Sequence, residues 1–452
     1  MTDTDVVPLR SAGPPAPDLR HTRRAWTVTT LLVVFMMVNF ADKCVLGLAA
    51  DPIRHDLGLS ATEFGLANSA FFLLFSLCGG AVGLLSDRVR PRRLLLTMAL
   101  VWSVAQLPMA LGGGLAVLVI SRIVLGAAEG PAFPVAQHSA LSWFPDERRN
   151  LPGALVTVGT TLGVVVAAPG LTWVIHHHGW RSAFGVVAAA GALWAAAWVL
   201  FGREGRYASA APGTAEPTGA LARRLSREAT SARRAADGGA PADVPYRRIL
   251  GTRTWISVTV AYFSTYWCVA LTLVWLPSYL HDGLGYATTT TASLIALLWT
   301  VNGVAMLGQA GLSGWLLRRG VSSRWARARV GGITLVVSAV ACLLLPSAPR
   351  GPVTVSLLVL GFGICGVMAG VAVTTVAEIV PEGRRGGALG LMNAVVTTAG
   401  LIAPALTGFM VDAQGAAGYQ HAVLLAGALL LVGGLAAIIL VDPARDARHL
   451  NA

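Results

Sequence analysis

The sequence predicts an all-α polytopic membrane protein with twelve transmembrane helices in two pseudo-symmetric six-helix bundles. Hydrophobic residues make up 55% of the 452 residues and charged residues only 12%, and the mean hydropathy is +0.65. Soluble domains of this size do not have that balance. Apolar runs long enough to cross a bilayer occur twelve times, and a long polar stretch divides them six and six.

The expected spans are 26–50, 62–84, 94–112, 115–142, 152–175 and 181–201 in the first bundle (26–201), and 254–280, 288–316, 330–346, 353–378, 386–411 and 419–441 in the second (254–441). Residues 1–25 form a polar tail without the apolar core and cleavage site of a removable signal peptide, so the first run is predicted to be a retained span. Residues 202–253 are rich in Ala, Arg, Gly and Pro, which predicts a flexible basic linker. Residues 442–452 form a second tail.

The distribution of basic residues predicts the orientation. On the side of the tails and the linker lie 29 basic residues, whereas the opposite side holds only Arg54, Arg181 and Arg350. The positive-inside rule therefore places both termini in the cytoplasm of a cell whose inner (plasma) membrane holds the chain. Membrane orientation also explains the net charge of +12 better than nucleic-acid binding does.

The two halves resemble each other in sequence. The segment APGLT at 168–172 in the fifth span matches APALT at 403–407 in the eleventh, and each follows a pair of threonines and a glycine. Parallel six-helix repeats place substrate sites near the midplane between the halves, where small residues and prolines let helices pack closely and bend. The repeat therefore supports the two-bundle prediction.

Two pairs of charged residues lie inside the predicted spans. Lys43, the only lysine, directly follows Asp42, while Arg122 and Glu129 are seven residues apart and share a helix face, about 10.5 Å apart along the axis. Intramembrane charges are costly and mark functional sites by default. Two cations facing one cavity attract an anion, and desolvated carboxylates can bind and release protons near neutral pH.

A structural alternative is that Asp42 with Lys43, and Glu129 with Arg122, are neutralised pairs that only hold helices together. Adjacent residues on a helix point about 100° apart, so Asp42 and Lys43 are poorly placed to neutralise each other. The pairing partners are therefore expected on other helices.

The loop after the second span resembles the loop signature of the major facilitator superfamily. Residues 83–93 read GLLSDRVRPRR, with Arg90 in place of the second glycine of that signature. The resemblance implies that Gly83, Asp87 and Arg88 belong to a conformational latch, in which a carboxylate meets a helix N-terminus in one state.

Within the superfamily the chain resembles the anion:cation symporter family of sugar-acid and organic-anion proton symporters. The resemblance rests on NFADK at 39–43, RIVLGAAEG at 122–130, FP at 133–134, WFP at 143–145, WLPSYL at 275–280 and Asn393. It implies that Lys43 and Arg122 clamp a substrate carboxylate and that Asp42 and Glu129 carry protons. The remaining implied substrate contacts are Asn393, Thr374, Thr375, Thr160, Phe40 and Phe75; for the threonines, helix packing through back-bonded hydroxyls is an equal alternative.

Three departures from the family pattern change the expected cavity. Lys43 stands where the family has arginine, Phe40 and Phe75 stand where sugar-acid carriers commonly have tyrosines, and Thr160 stands where they often have glutamine. A lysine replaces a bidentate fork with a point charge. These changes leave fewer hydrogen bonds for a polyhydroxylated ligand and favour a less hydroxylated or partly aromatic monoanion.

Other patterns favour no further chemistry. The five cysteines lack metal-ligand spacing, the histidines at 176–178 are expected in a solvated loop, and Glu378 at the end of the tenth span suits an interfacial contact. No nucleotide-binding loop occurs. We expect a monomeric carrier with neither metal nor cofactor, driven by the proton gradient. A proton-driven exporter of a drug or metabolite is the main alternative; a membrane sensor or enzyme lacks a catalytic constellation.

Overall fold

The computed structural model describes residues 19–85, 90–144, 149–205 and 244–451. Every regular element in these ranges is helical, and twelve of the helices are long and apolar enough to cross a membrane. The predicted fold class and the number of spans are therefore confirmed.

The spans of the first half are Leu19–Leu48, Ala61–Leu85, Pro91–Ala110, Leu115–Glu129 continued by Ala132–Leu141, Asn150–His178 and Trp180–Phe201. Those of the second half are Arg253–Val274, Thr288–Arg318, Arg324–Arg329 continued by Val330–Leu344, Pro352–Leu358 continued by Val359–Gly363 and Val367–Ile379, Glu382–Gln414 and Ala416–Leu440. Short helices lie between and after them, at Ala50–Leu57, Tyr246–Leu250, Leu276–Ser278 and Pro443–Asn451.

The fourth span is broken where the sequence predicted a continuous helix over 115–142. The helix Leu115–Glu129 ends at Gly130, and a second helix starts at Ala132 after Pro131, which has no backbone N–H to donate. A Cβ atom on Gly126 or Gly130 would overlap the carbonyl oxygen of Phe71 or Phe75, so these glycines let the fourth span contact the second span backbone to backbone. Glu129 consequently lies at the break, beside the aromatic face of the second span.

Three further segments differ from the predicted spans. The seventh span ends at Val274, short of the expected 280, and a helical turn at Leu276–Ser278 leads into a π-helical turn at Tyr279–Gly283. The ninth span starts earlier than expected, in the π-helical segment Arg324–Arg329, and the tenth contains a π-helical segment at Val359–Gly363. Apolar-run length cannot detect these changes of hydrogen-bond pattern.

The described C-terminal end of the linker and the C-terminal tail pack against the second half. Within the predicted linker, residues 206–243 lie outside the described residues, but the helix Tyr246–Leu250 contacts the seventh and eleventh spans and buries Ile249. After the twelfth span, Asp446 accepts a hydrogen bond from the backbone N–H of Thr254 at 2.8 Å. This carboxylate caps the N-terminus of the seventh span within its own half.

Helix packing separates two bundles that meet along two seams. In the first half the first span packs on the fifth, the second on the fourth, and the third on the sixth. In the second half the seventh packs on the eleventh and twelfth, and the ninth on the twelfth. Between the halves, the second span packs on the eleventh and the fifth on the eighth.

The halves are joined at the end of the bundle away from the two termini, which we call the far end; the opposite end is the tail end. Asp412 of the eleventh span accepts hydrogen bonds from the backbone N–H groups of Ala61 and Thr62, at 2.8 and 2.7 Å. Asp51 accepts a hydrogen bond from Ser278 at 3.0 Å across the same boundary. The two halves are therefore held together at the far end by side-chain contacts.

Candidate functional site

The first and fourth spans bring Lys43 and Glu129 together in a buried ion pair. The Lys43 ammonium lies 2.5 Å from a Glu129 carboxylate oxygen, with side-chain exposures of 8% and 0%. Lys43 also donates to the side-chain oxygen of Asn39, one helical turn earlier, at 2.5 Å. The ion-pair partner of Lys43 is thus on another helix, as the sequence predicted. Lys43 is not paired with the adjacent Asp42, and Glu129 is paired with Lys43.

Aromatic rings enclose the Lys43 ammonium, whereas a lysine on a solvent-exposed surface would be surrounded by water. Its nitrogen lies 4.8 Å from the ring centre of Phe40, 5.7 Å from that of Phe71 and 5.6 Å from that of Phe75. The electron-rich ring faces attract a cation and replace part of its lost hydration. Phe40 and Phe75, both predicted to line the site, are therefore brought to Lys43.

Asp42 points to a different neighbour from that of Lys43. Gln106 of the third span donates a hydrogen bond from its amide to one oxygen of Asp42, and both side chains are buried. The second oxygen of Asp42 has no hydrogen-bond partner among the described residues. Asp42 also interacts electrostatically with Glu129, Arg122 and Lys43, so the four charged groups form one cluster.

Arg122 is the group of this cluster with open donors. It is only 3% exposed, its guanidinium lies 5.1 Å from the ring centre of Phe71, and its Nε and Nη1 atoms are buried without a hydrogen-bond partner in the described part of the chain. A buried guanidinium with unused donors is a costly arrangement that an anionic ligand would relieve. Arg122 therefore has the properties of an anion-binding group.

The second half meets this cluster through aromatic contacts. Tyr266 of the seventh span lies 6.0 Å, ring centre to ring centre, from Phe72, and Trp299 of the eighth span lies 5.8 Å from Phe40. Tyr266 also interacts electrostatically with Glu129. The cluster thus lies in the first half, and the aromatic rings beside it contact the second half.

Four of the predicted substrate contacts have no hydrogen bond to the ion cluster among the described residues. The hydroxyls of Thr160 and Thr374 donate to backbone carbonyls of their own helices, and Thr374 lines a cleft of about 440 Å³ beside Glu378 and Arg327. Thr375 is fully buried, and its hydroxyl has no hydrogen-bond partner within the described part of the chain. Asn393 accepts, through its backbone carbonyl, a hydrogen bond from Thr397. In this conformation Thr160 and Thr374 thus donate within their own helices.

The remaining predictions fall elsewhere in the molecule. Gly83 belongs to the last turns of the second span, while Asp87 and Arg88 lie outside the described residues. Glu378 accepts hydrogen bonds from Ser323 at 2.5 Å and Arg327 at 2.6 Å, an interfacial contact of the expected kind.

Sequence reasoning missed four residues of the site: Asn39, Gln106, Phe71 and Tyr266. A signal existed for three of them, and Asn39 already stands in the segment NFADK at 39–43. Gln106 is an amide inside an apolar run, and Phe71 is four residues before Phe75, which puts both rings on one helix face. Tyr266 had no comparable signal, because its role depends on how the halves meet.

Comparison with known proteins identifies the family. The model of the Major Facilitator Superfamily matches residues 31–368 and 320–452, so the chain belongs to this superfamily of membrane transporters. A hexuronate transporter of Bacillus subtilis (strain 168) is 26% identical over 419 residues, which cover 91% of this chain and 94% of the relative. A probable sulfoacetate transporter of Cupriavidus necator is 27% identical over 410 residues, covering 91% and 92%.

A solved structure has the same fold. The crystal structure of a bacterial homolog of the human lysosomal transporter Spinster, in an inward-facing and unoccupied conformation, matches with a TM-score of 0.72 at 18% identity. The match covers 94% of this chain and 98% of that one. At this identity the likeness establishes the fold alone.

Proposed function

We propose that the protein is a secondary transporter that takes up an organic anion together with protons by alternating access across the plasma membrane. The observation that carries the proposal is the buried Lys43–Glu129 pair beside Arg122, whose Nε and Nη1 donors have no partner among the described residues. The relatives include a hexuronate transporter and a probable sulfoacetate transporter, which supports an anionic substrate.

Charge balance explains why anion and proton would travel together. With all four groups ionised, the cluster contains two cations, Lys43 and Arg122, and two carboxylates, Asp42 and Glu129. A substrate carboxylate would bring an uncompensated negative charge into a region of low dielectric, which is costly. Protonation of one carboxylate removes that charge, so each ligand strengthens the binding of the other.

Glu129 is the carboxylate best placed for this exchange. As a carboxylate it accepts from Lys43 at 2.5 Å and so occupies the ammonium that an anion would need. A proton on Glu129 weakens this ion pair and frees Lys43 to bind the substrate together with Arg122. Loss of the substrate at the tail end would let the ion pair re-form and expel the proton.

The contacts between the halves support alternating access. The far end is closed through Asp412 and Asp51, and the positive-inside prediction makes it the outer end. Breaking these contacts and closing the tail end would expose the same cluster to the other side, by rocking of the two bundles about the site.

The proposal is tested with purified protein in proteoliposomes that carry an imposed pH gradient and a panel of labelled organic anions. Glu129→Gln is expected to abolish proton-driven accumulation but to retain anion exchange, because it fixes a neutral group beside Lys43. Lys43→Ala is expected to weaken anion binding at least about tenfold, since it removes a charged partner of the substrate.

Glu63→Gln is the matched control, because Glu63 is exposed at the far end and its carboxylate accepts a hydrogen bond from the backbone N–H of Ser60. It is expected to transport as the wild type does. Exchange of lipophilic cations for protons, with no response to any anion, would instead establish the exporter alternative.

A further inference from the structure

Six aromatic side chains from both halves surround the ion cluster. This ring box consists of Phe40, Phe71, Phe72, Phe75, Tyr266 and Trp299. Phe71, Phe72 and Phe75 contact one another at ring-centre distances of 5.0 to 5.8 Å, and two contacts cross between the halves, Phe40 with Trp299 and Phe72 with Tyr266. The surface beside the cations is therefore largely made of ring faces and edges.

Several polar groups near the ring box are already engaged. Ser76 and Thr397, which meet across the halves, share a hydrogen bond of 2.5 Å. The Nδ2 atom of Asn39, whose side-chain oxygen binds Lys43, is buried without a hydrogen-bond partner among the described residues. Four of the six rings are phenylalanines and offer no hydrogen bond. The indole N–H of Trp299 is buried without a partner among the described residues, and Trp299 itself is 7% exposed.

This surface discriminates between two kinds of carboxylate. A sugar acid carries several hydroxyls, and each would lose its water without gaining a partner against a phenylalanine ring, which is unfavourable. A flat apolar body would gain ring contacts instead. A single acceptor on that body would satisfy the free indole N–H.

We infer that the substrate is a compact monocarboxylate with a flat, apolar and preferably aromatic body that carries at most one further hydrogen-bond acceptor. Its carboxylate binds Lys43 and Arg122, and its body lies against Phe40 and Trp299. This inference rests on the proposed function and narrows the substrate class of the same site.

A competition assay tests the substrate class directly. Proteoliposomes with the wild-type protein take up labelled benzoate under an inward proton gradient, and unlabelled 4-hydroxybenzoate, gluconate and galacturonate compete. Aromatic acids are expected to bind at least about tenfold more tightly than the sugar acids. Uptake of the sugar acids alone, measured with labelled gluconate, would overturn the inference and leave proton-coupled anion transport standing. If no anion of either class is carried or bound, the proposed function fails as well.

Two groups of variants separate ring recognition from ring packing. Trp299→Leu is expected to weaken benzoate binding about tenfold and to change gluconate binding much less, because a stacking partner is lost. Phe40→Tyr with Phe75→Tyr adds two hydroxyls and is expected to shift the preference toward gluconate. Phe409→Tyr, at a ring that is 62% exposed in the eleventh span, is the matched control and should leave the preference unchanged. The inference would be overturned if Trp299→Leu weakened benzoate and gluconate binding equally and the tyrosine variant did not change the preference. The rings would then serve helix packing and not substrate recognition.

Discussion

At the residue scale, Asp42 of the ion cluster accepts a hydrogen bond from a single amide, that of Gln106. Gln106 donates to one Asp42 oxygen, while the amide oxygen of Gln106 and the second oxygen of Asp42 have no partner among the described residues. An amide can donate to a carboxylate or, turned over, accept from a carboxylic acid. Gln106 can therefore serve Asp42 in both protonation states, and we propose that it positions Asp42 for the proposed proton coupling.

Replacing Gln106 tests this role. Gln106→Leu removes the donor that stabilises the charged form of Asp42, so protons bind more readily and the midpoint of uptake against pH should move up by about one unit. Gln309→Leu is the control, because Gln309 is a buried amide of the second half that donates to Ser313. Initial rates of uptake across a pH series give both midpoints, and an unshifted midpoint in Gln106→Leu would contradict the role.

The charged members of the cluster could be predicted from sequence, but their pairing could not. Intramembrane position alone singles out Lys43, Asp42, Arg122 and Glu129. Which acid meets which base depends on helix rotation, and here Lys43 pairs with a residue 86 positions away in sequence. The roles of the hydroxyl groups were harder to predict than those of the charges. A threonine hydroxyl can donate a hydrogen bond to a backbone carbonyl of its own helix, as Thr160 and Thr374 do.

At the element scale, glycines decide how closely the second and eleventh spans approach. A Cβ atom on Gly65 would overlap the carbonyl oxygen of Pro404, and one on Gly408 would overlap that of Ala61. Pro404 belongs to the repeated APALT segment, and its carbonyl also accepts from the indole of Trp275 at 2.9 Å. The repeated segment thus forms part of the far-end seam between the halves.

Alanine at Gly408 should keep that seam from closing. In an isolated helix Gly→Ala is stabilising by about 1 kcal/mol, so any loss must come from the clash with Ala61. We expect Gly408→Ala to lower uptake at least about tenfold because the closed far end becomes strained. Gly390→Ala lies in the same span with open space around its Cβ position and should transport normally. Equal uptake by the two variants would show that an added methyl group at Gly408 does not prevent the second and eleventh spans from closing against each other.

Hydropathy predicted all twelve spans but not where their hydrogen-bond pattern changes. The break at Gly130 and Pro131 lies inside an unbroken apolar run, and the π-helical segment Val359–Gly363 lies inside another. Run length reports burial in lipid, whereas these features depend on close contact with a neighbouring helix. The break matters for function, because it ends the helix at Glu129.

At the scale of the whole molecule, the proposed alternating access requires the two bundles to separate at the far end whenever the site opens to that side. Asp412 opposes that movement, since its carboxylate in the second half caps the N-terminus of the second span in the first half with two hydrogen bonds. A negative charge at a helix N-terminus is favourable, typically by up to about 1 kcal/mol and more when partly buried. Because this contact requires the far end to be closed, we expect Asp412 to act as a lock on one of the two proposed transport states.

Neutralising Asp412 should therefore change the balance between the two states more than the stability of the fold. Asp412→Asn is expected to raise the ratio of outward-open to closed molecules about fivefold, since about 1 kcal/mol of charge-assisted capping is lost. Double electron–electron resonance between spin labels at the exposed positions 55 and 287, one in each half, would show a larger population at long distance. Asp446→Asn is the matched control: Asp446 also caps a helix N-terminus, that of the seventh span, but does so within one half. It should lower the melting temperature without moving the distance distribution. If Asp412→Asn likewise lowers only the melting temperature, its cap stabilises the fold and does not bias transport.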